Sequence, residues 1–130
     1  MVNKLYQEEL MEHFKYPKNK IKLDNPDFFS DIHNPSCGDS VSIQGMLKKD
    51  SQTGDLIISQ LAFDGSGCVI SQATASMLTQ FCKNKTVKDI LNLNKDDILK
   101  LIKIELGPTR LRCALLALQA LQDALQKYVE

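Results

Sequence analysis

Cysteines stand at positions 37, 68, 82 and 113 of the 130-residue chain. No two of them make the C-x-x-C pair of zinc ribbons and ferredoxins, so their neighbours, more than their spacing, decide what chemistry they can do. Cys37 lies in Asn34-Pro35-Ser36-Cys37-Gly38-Asp39. That turn-forming run sets a thiol and the Asp39 carboxylate two residues apart at the head of a strand, where both can face one metal ion. Cys68 follows Gly65-Ser66-Gly67 and opens a helical pattern. Free N–H groups and the helix dipole there favour a thiolate, as ligand or nucleophile, and the glycines let other groups approach closely. Cys113 lies in the first turns of the last helical pattern, with Arg110 and Arg112 before it and Ala114 after it, a setting that favours a lowered thiol pKa.

Taken singly, each of the three also fits a turn cysteine or a small packing residue. Cys82 comes fourteen positions after Cys68 in the same helical pattern, about 20 Å away at the rise of an α-helix. It is expected to pack in the core, outside any shared site. His13 is read on the solvated side of a short helix and His33 merely precedes the Cys37 loop, so neither is a leading ligand. Cys37, Asp39, Cys68 and Cys113 together make a donor set that suits tetrahedral zinc, and three thiolates could equally anchor iron. Read as a closed site, the same four would make a structural zinc module. A cysteine hydrolase or oxidoreductase would need a base beside its thiol, and neither histidine is in such a setting.

These residues need elements to position them. Leu5, Leu10 and Phe14 recur at near-helical spacing before Tyr16-Pro17 ends the option of a helix. A polar, turn-rich stretch follows, then Phe28, Phe29 and Ile32 as a candidate first strand. Val41 and Ile43 alternate with Ser40, Ser42 and Gln44, and Ile57, Ser59, Leu61 and Phe63 resume the alternation after a polar turn, predicting an antiparallel hairpin. Beyond Cys68 the period becomes helical through Ile70, Ala73, Met77, Leu78 and Phe81. Thr86 caps a short helix over VKDILNL, and Asn94 caps another over KDDILKLIKIEL before Gly107-Pro108. The last stretch, TRLRCALLALQALQDALQKYV, has a polar stripe at Arg112, Gln119, Asp123, Gln126 and Glu130, and small Ala114, Ala117, Ala120 and Ala124 that permit close packing. Strands first and helices after predict an α+β domain with helices on one face of an antiparallel sheet.

The length, with 43% apolar residues, is enough for one core, so residues 1–130 are expected to form a single domain. Sixteen basic and sixteen acidic residues give a net charge of zero, which offers no general attraction to nucleic acid or anionic membrane. The N-terminal residues carry acids and no apolar core run, and no stretch approaches a membrane span. A cytoplasmic protein is expected, in which the thiols serve metal binding, thiol chemistry or packing and not disulfides.

Three blocks in order, NPSCGD, GSGCVISQATASML and RLRCALLAL, with LYQEELMEHFKYPKNK ahead of them, resemble the NifU N-terminal, IscU and SufU family of iron–sulfur cluster assembly proteins. The resemblance covers nearly the whole chain. It implies a three-stranded antiparallel sheet with helices on one face, and a site at one end of the sheet. It also implies that Cys37, Asp39, Cys68 and Cys113 bind zinc at rest and an iron–sulfur cluster, of the [2Fe-2S] kind, or a persulfide in use. Cys82 has no counterpart. The implied partners are a cysteine desulfurase, whose sulfur Cys37 or Cys113 would accept, and apo iron–sulfur acceptor proteins or other assembly factors. Within the family the signals are mixed. GCVISQATASMLTQF looks most like SufU, and Arg112 replaces the histidine that IscU proteins carry before their last cysteine. The 45 positions from Cys68 to Cys113 instead resemble IscU, without the added segment of SufU. Leu106-Gly107-Pro108-Thr109-Arg110 stands where IscU proteins have their Leu-Pro-Pro-Val-Lys chaperone motif. Cluster scaffold is the leading expectation, with a zinc-dependent sulfurtransferase that holds no cluster as the alternative.

Overall fold

A computed structural model describes residues 4–35 and 38–128. Strands β1 (Phe28–Asn34), β2 (Asp39–Lys49) and β3 (Leu56–Ser66) form an antiparallel sheet in the order β1-β2-β3. Asn34 pairs with Asp39 at one end of the sheet, where Ser40 pairs with Ser66. The connection between β2 and β3 is tied by Asp50, whose backbone N–H donates to Asp55 O and whose carboxylate accepts from Gln52 N–H. Such a side-chain turn is the local preference of Asp beside Gly and Ser.

Alternation along β2 is as the residue types dictate, with Asp39, Val41, Ile43 and Gly45 buried and their neighbours half-buried. On β3 the phase differs from the simple alternation. Ile58, Leu61 and Phe63 are buried, whereas Ile57 and Ser59 are only half-buried. The cause is an irregularity between Met46 and Leu47, where Met46 pairs with Gln60 but Leu47 pairs with Ile58. Ser59 is the extra residue, and its hydroxyl donates to Met46 O at 3.1 Å. A bulge reverses which side chains face inward on either side of it.

Five α-helices complete the fold: α1 (Lys4–Lys15), α2 (Val69–Cys82), α3 (Val87–Leu91), α4 (Lys95–Ile102) and α5 (Pro108–Leu125), followed by a 3₁₀ turn at Gln126–Tyr128. Helix α2 is central, buried on nearly every side, with α1, α5 and the sheet packed around it. Ala114, Ala117, Ala120 and Ala124 of α5 are buried and let that helix lie close to its neighbours. Gln122 holds α3 to α5 by donating to Ile90 O and Leu93 O at 3.0 and 2.9 Å. Thr86 and Asn94 cap α3 and α4, the latter with a full capping box to Asp97, as their residue types predict.

Helix α4 stops four residues earlier than its apolar pattern suggests. Lys103 turns into the left-handed region at φ 62°, which closes the helix and swings Ile104 toward the cleft described below. Leu5 and Phe14 of α1 and Phe81 of α2 also differ from expectation, since all three are exposed. The Lys85 ammonium lies over the Phe81 ring at 4.3 Å. Only Leu10 anchors α1 in the core. His13 leaves the solvated face to which its sequence position assigned it: its Nδ1 lies 2.8 Å from the Ser76 hydroxyl on α2. Partial burial, reinforced by Lys18 and opposed by Glu9 and Glu12, lowers its pKa. Among the described residues no helix is long and apolar enough to cross a membrane.

Candidate metal centre

The site grows from the junction of β2, β3 and α2. Asp39 is the first residue of β2 and Cys68 is the N-cap of α2, so a carboxylate from the sheet meets the exposed N–H groups of a helix start. Electrostatics favours that pairing, because the helix N-terminus carries partial positive charge. Asp39 Oδ1 accepts the Cys68 backbone N–H at 3.0 Å, and its Oδ2 accepts the Cys68 thiol at 3.0 Å. The carboxylate caps the helix in place of a side chain from the helix itself, since Cys68 makes no capping bond of its own.

Gly67 is what permits the approach. Its φ is +139°, and a Cβ there would overlap the Asp39 carboxylate. Gly65, at φ +155°, lies against the Ser40 carbonyl in the same way. Both positions exclude larger residues by conformation and by contact.

Cys113 enters from α5, is 3% exposed, and completes a cluster in which one donor atom each from Asp39, Cys68 and Cys113 lies within 4.8 Å of the others. Asp39 is itself only 1% exposed. Burial pushes its pKa up, but hydrogen bonds from the Cys68 thiol and backbone N–H, then from Cys113 and Ser71, outweigh that and hold the carboxyl below its ordinary value. Cys68 is exposed, so the site opens outward on that side. The opening is a cleft of about 690 Å³ with Leu10 and Met11 of α1, Val69 and Ile70 of α2, and Ile104 forming its apolar walls.

Of the four residues singled out from sequence, three converge. Cys37 lies outside the described residues. His33 is exposed on β1, where it pairs with Ser40, and is not in the cluster. Cys82, at the far end of α2, is fully buried, and desolvation pushes its thiol pKa up to about 12 despite nearby Lys85. It is a packing residue, as the helical distance required. The two arginines before Cys113 separate. Arg110, three residues back and so on the same helical face, lines the cleft, whereas Arg112 is exposed and outside it.

Two residues escaped the sequence reading. Ser71 and Gln72 are both buried and connect the cluster to the sheet: Gln72 Nε2 donates to Ser71 Oγ at 2.9 Å and to Ser40 O at 3.1 Å. The available signal was two successive polar residues within a turn of Cys68 on a helix otherwise rich in apolar and small side chains.

An exposed thiol, a buried thiol and a buried carboxylate meeting at one end of a sheet, beside a helix start, are a donor set that could hold a metal ion. The chain belongs to the NifU-like N-terminal domain family, whose model matches residues 5–130. It is 34% identical to the zinc-dependent sulfurtransferase SufU of Bacillus subtilis, over 95% of this chain and 90% of that protein. It is 30% identical to the iron–sulfur cluster assembly scaffold protein IscU 1 of Archaeoglobus fulgidus, over 95% of this chain and 76% of that one. Among solved structures, a protein from Fervidobacterium islandicum AW-1, assigned as a cluster assembly scaffold of the SUF system, superimposes with a TM-score of 0.76. The two share 25% identity, over 92% of this chain and 95% of the other. Both the scaffold and the sulfurtransferase reading fit this family.

Proposed function

We propose that the chain is an iron–sulfur cluster assembly scaffold that receives sulfur from a cysteine desulfurase, with Cys37, Asp39, Cys68 and Cys113 as its ligands. The observation that carries the reading is the convergence of Asp39, Cys68 and Cys113 within 4.8 Å in a chain of this family. Thiolates suit iron and sulfide, and a single carboxylate provides a weaker bond through which a cluster can leave.

In the sulfur-accepting step, the thiolate of Cys37 or Cys113 attacks the terminal sulfur of the donor persulfide. The donor S–S bond breaks, a new S–S bond forms on the acceptor, and the donor departs as thiolate with the electron pair. No external oxidant or reductant enters. The apolar walls of the cleft shield the transferred sulfur from water, and the Arg110 guanidinium at its edge favours anionic sulfur. Delivery to apo acceptor proteins follows.

Zinc fits the same residues in the resting state. Two thiols and a buried carboxylate within 4.8 Å, with Cys37 two positions before Asp39 in sequence, match its tetrahedral preference for sulfur and oxygen donors. When bound, zinc keeps the thiols deprotonated.

The second reading, a zinc-dependent sulfurtransferase without a cluster, is favoured by the higher identity to SufU. Alignment length favours the scaffold. The match to SufU runs over 140 positions while drawing on 95% of this chain, so SufU carries residues this chain lacks. The match to IscU 1 runs over 124 positions for the same share. Anaerobic reconstitution with ferrous iron and sulfide, followed by visible absorption, separates the two. The scaffold develops stoichiometric sulfide-to-iron bands, and absence of those bands, with persulfide still accepted from a desulfurase, establishes the carrier.

A further inference from the structure

Asp39 and Cys68 belong to different layers, and their contact at 3.0 Å requires that the start of β2 and the start of α2 stay in register. The backbone ladder holds β2 to β3, but it does not fix the helix. Gln72 does so. It is one turn after Cys68, is 5% exposed, and its Nε2 reaches both the Ser40 carbonyl, next to Asp39, and the Ser71 hydroxyl. Ser71 in turn donates to the Cys68 carbonyl at 3.2 Å and lies 3.9 Å from the Cys68 sulfur. The amide orientation is fixed, because the reversed amide would set Oε1 against the Ser40 carbonyl oxygen.

Among the described residues, Gln72 Oε1 is buried and has no hydrogen-bond partner. A buried carbonyl oxygen left without a donor weakens the fold and offsets much of what the two bonds donated by the same amide contribute. Net stability is therefore a weak reason for glutamine at this position, whereas a two-pronged donor between sheet and helix is a specific one.

We propose that Gln72, acting through Ser71, is a positioning residue that holds the Cys68 sulfur and backbone N–H against the Asp39 carboxylate. The proposal needs only the described geometry; its zinc readout also rests on the metal-centre reading above. The amide donors clamp Ser40 and Ser71, and the Ser71 hydroxyl steadies the last peptide before α2. With the clamp gone, the helix start and the strand start move independently while the core beneath them stays packed.

Gln72→Met keeps the unbranched length and helix preference and removes both donors and the orphan oxygen. In the full chain the expected result is a thermal midpoint little changed, with exchange of the Cys68 amide at least fivefold faster by NMR and the interior α2 amides unaffected. Release of zinc to a pyridylazo chelator is expected to be at least fivefold faster as well. Ser71→Ala, which leaves the Gln72–Ser40 tie, is expected to give a smaller acceleration of the Cys68 amide. Unchanged Cys68 exchange in both variants overturns the proposal. So does a lowered midpoint with all α2 amides exchanging faster together, which would make Gln72 merely structural. If Gln72→Met does not fold, Ser71→Ala alone decides by the same criterion. Should the wild-type chain take up no zinc, the metal-centre reading fails, while the amide exchange still decides the role of Gln72.

Discussion

Helix α2 has a cysteine at each end, and the two could hardly be treated more differently. Cys68, at the N-cap, is exposed, faces a carboxylate at 3.0 Å and opens onto a cleft. Cys82, in the last turn, is sealed in the core with its thiol pKa pushed up to about 12. One helix end offers N–H groups, positive potential and solvent access, and at the other burial outweighs the nearby Lys85. The same side chain is placed to meet a metal ion at one end and packs as a small hydrophobe at the other, where burial opposes thiolate formation.

The widest gap between the two ends should appear on substitution. Cys68→Ser is expected to abolish stoichiometric zinc binding with the thermal midpoint of the metal-free chain little changed. Cys82→Ala should leave zinc stoichiometry intact and cost about 1 kcal/mol in denaturant unfolding, comparable with removing one buried methyl group. Metal analysis of both variants checks this, and the reverse pattern would exchange the roles assigned to the two ends.

Next in size is Gly67→Ala. The added Cβ would meet the Asp39 carboxylate, forcing strand and helix starts apart, and zinc affinity should fall on the order of 10- to 100-fold. Affinity from competition with a chelator measures it, and a wild-type value would show that the close approach is dispensable.

Asp39→Ala sharpens the contrast within the site itself, between one carboxylate and the thiolates. A reconstituted cluster should persist several-fold longer toward transfer to an apo acceptor, because the weaker oxygen bond is the one through which it leaves. An unchanged lifetime would reject that role for Asp39.

At neutral pH the smallest effect belongs to the buried end, whose pH dependence appears only in alkali. Since the Cys82 thiol ionises near pH 12 in the fold against an ordinary 9.0, the unfolded chain gives up this proton first as pH rises. Its stabilising contribution is therefore complete below about pH 9 and lost between there and about 12. Cys82→Ala should flatten the fall in unfolding free energy across that window relative to wild type. Parallel curves would show that the thiol is not held neutral.

Much of this contrast was legible in the order of residues. The Gly-Ser-Gly run before Cys68 and the helical period after it state a helix N-terminus, and the distance along that helix separates Cys82 from the site. The caps Thr86 and Asn94, and the alternation of β2, followed local rules and were met. What escaped were effects set by neighbours distant in sequence. The bulge at Ser59 depends on how β2 and β3 pair, so alternation along β3 alone gave the wrong inward face for Ile57 and Ile58. His13 had a partner 63 residues away. Gln72 was invisible as a site residue because its acceptor, the Ser40 carbonyl, is a backbone atom that no motif records. Arg112 drew attention as the immediate neighbour of Cys113, yet helical geometry turns it away and brings Arg110 to the cleft.

The most direct test of the central claim is X-ray absorption at the zinc edge of the zinc-loaded chain. Three sulfur neighbours at roughly 2.3 Å and one oxygen at roughly 2.0 to 2.2 Å are predicted, from Cys37, Cys68, Cys113 and Asp39, with the same spectrum in Cys82→Ala. A four-sulfur shell that loses one sulfur in Cys82→Ala would contradict the account, because it would put the buried end of α2 in the metal site and leave Asp39 out of it.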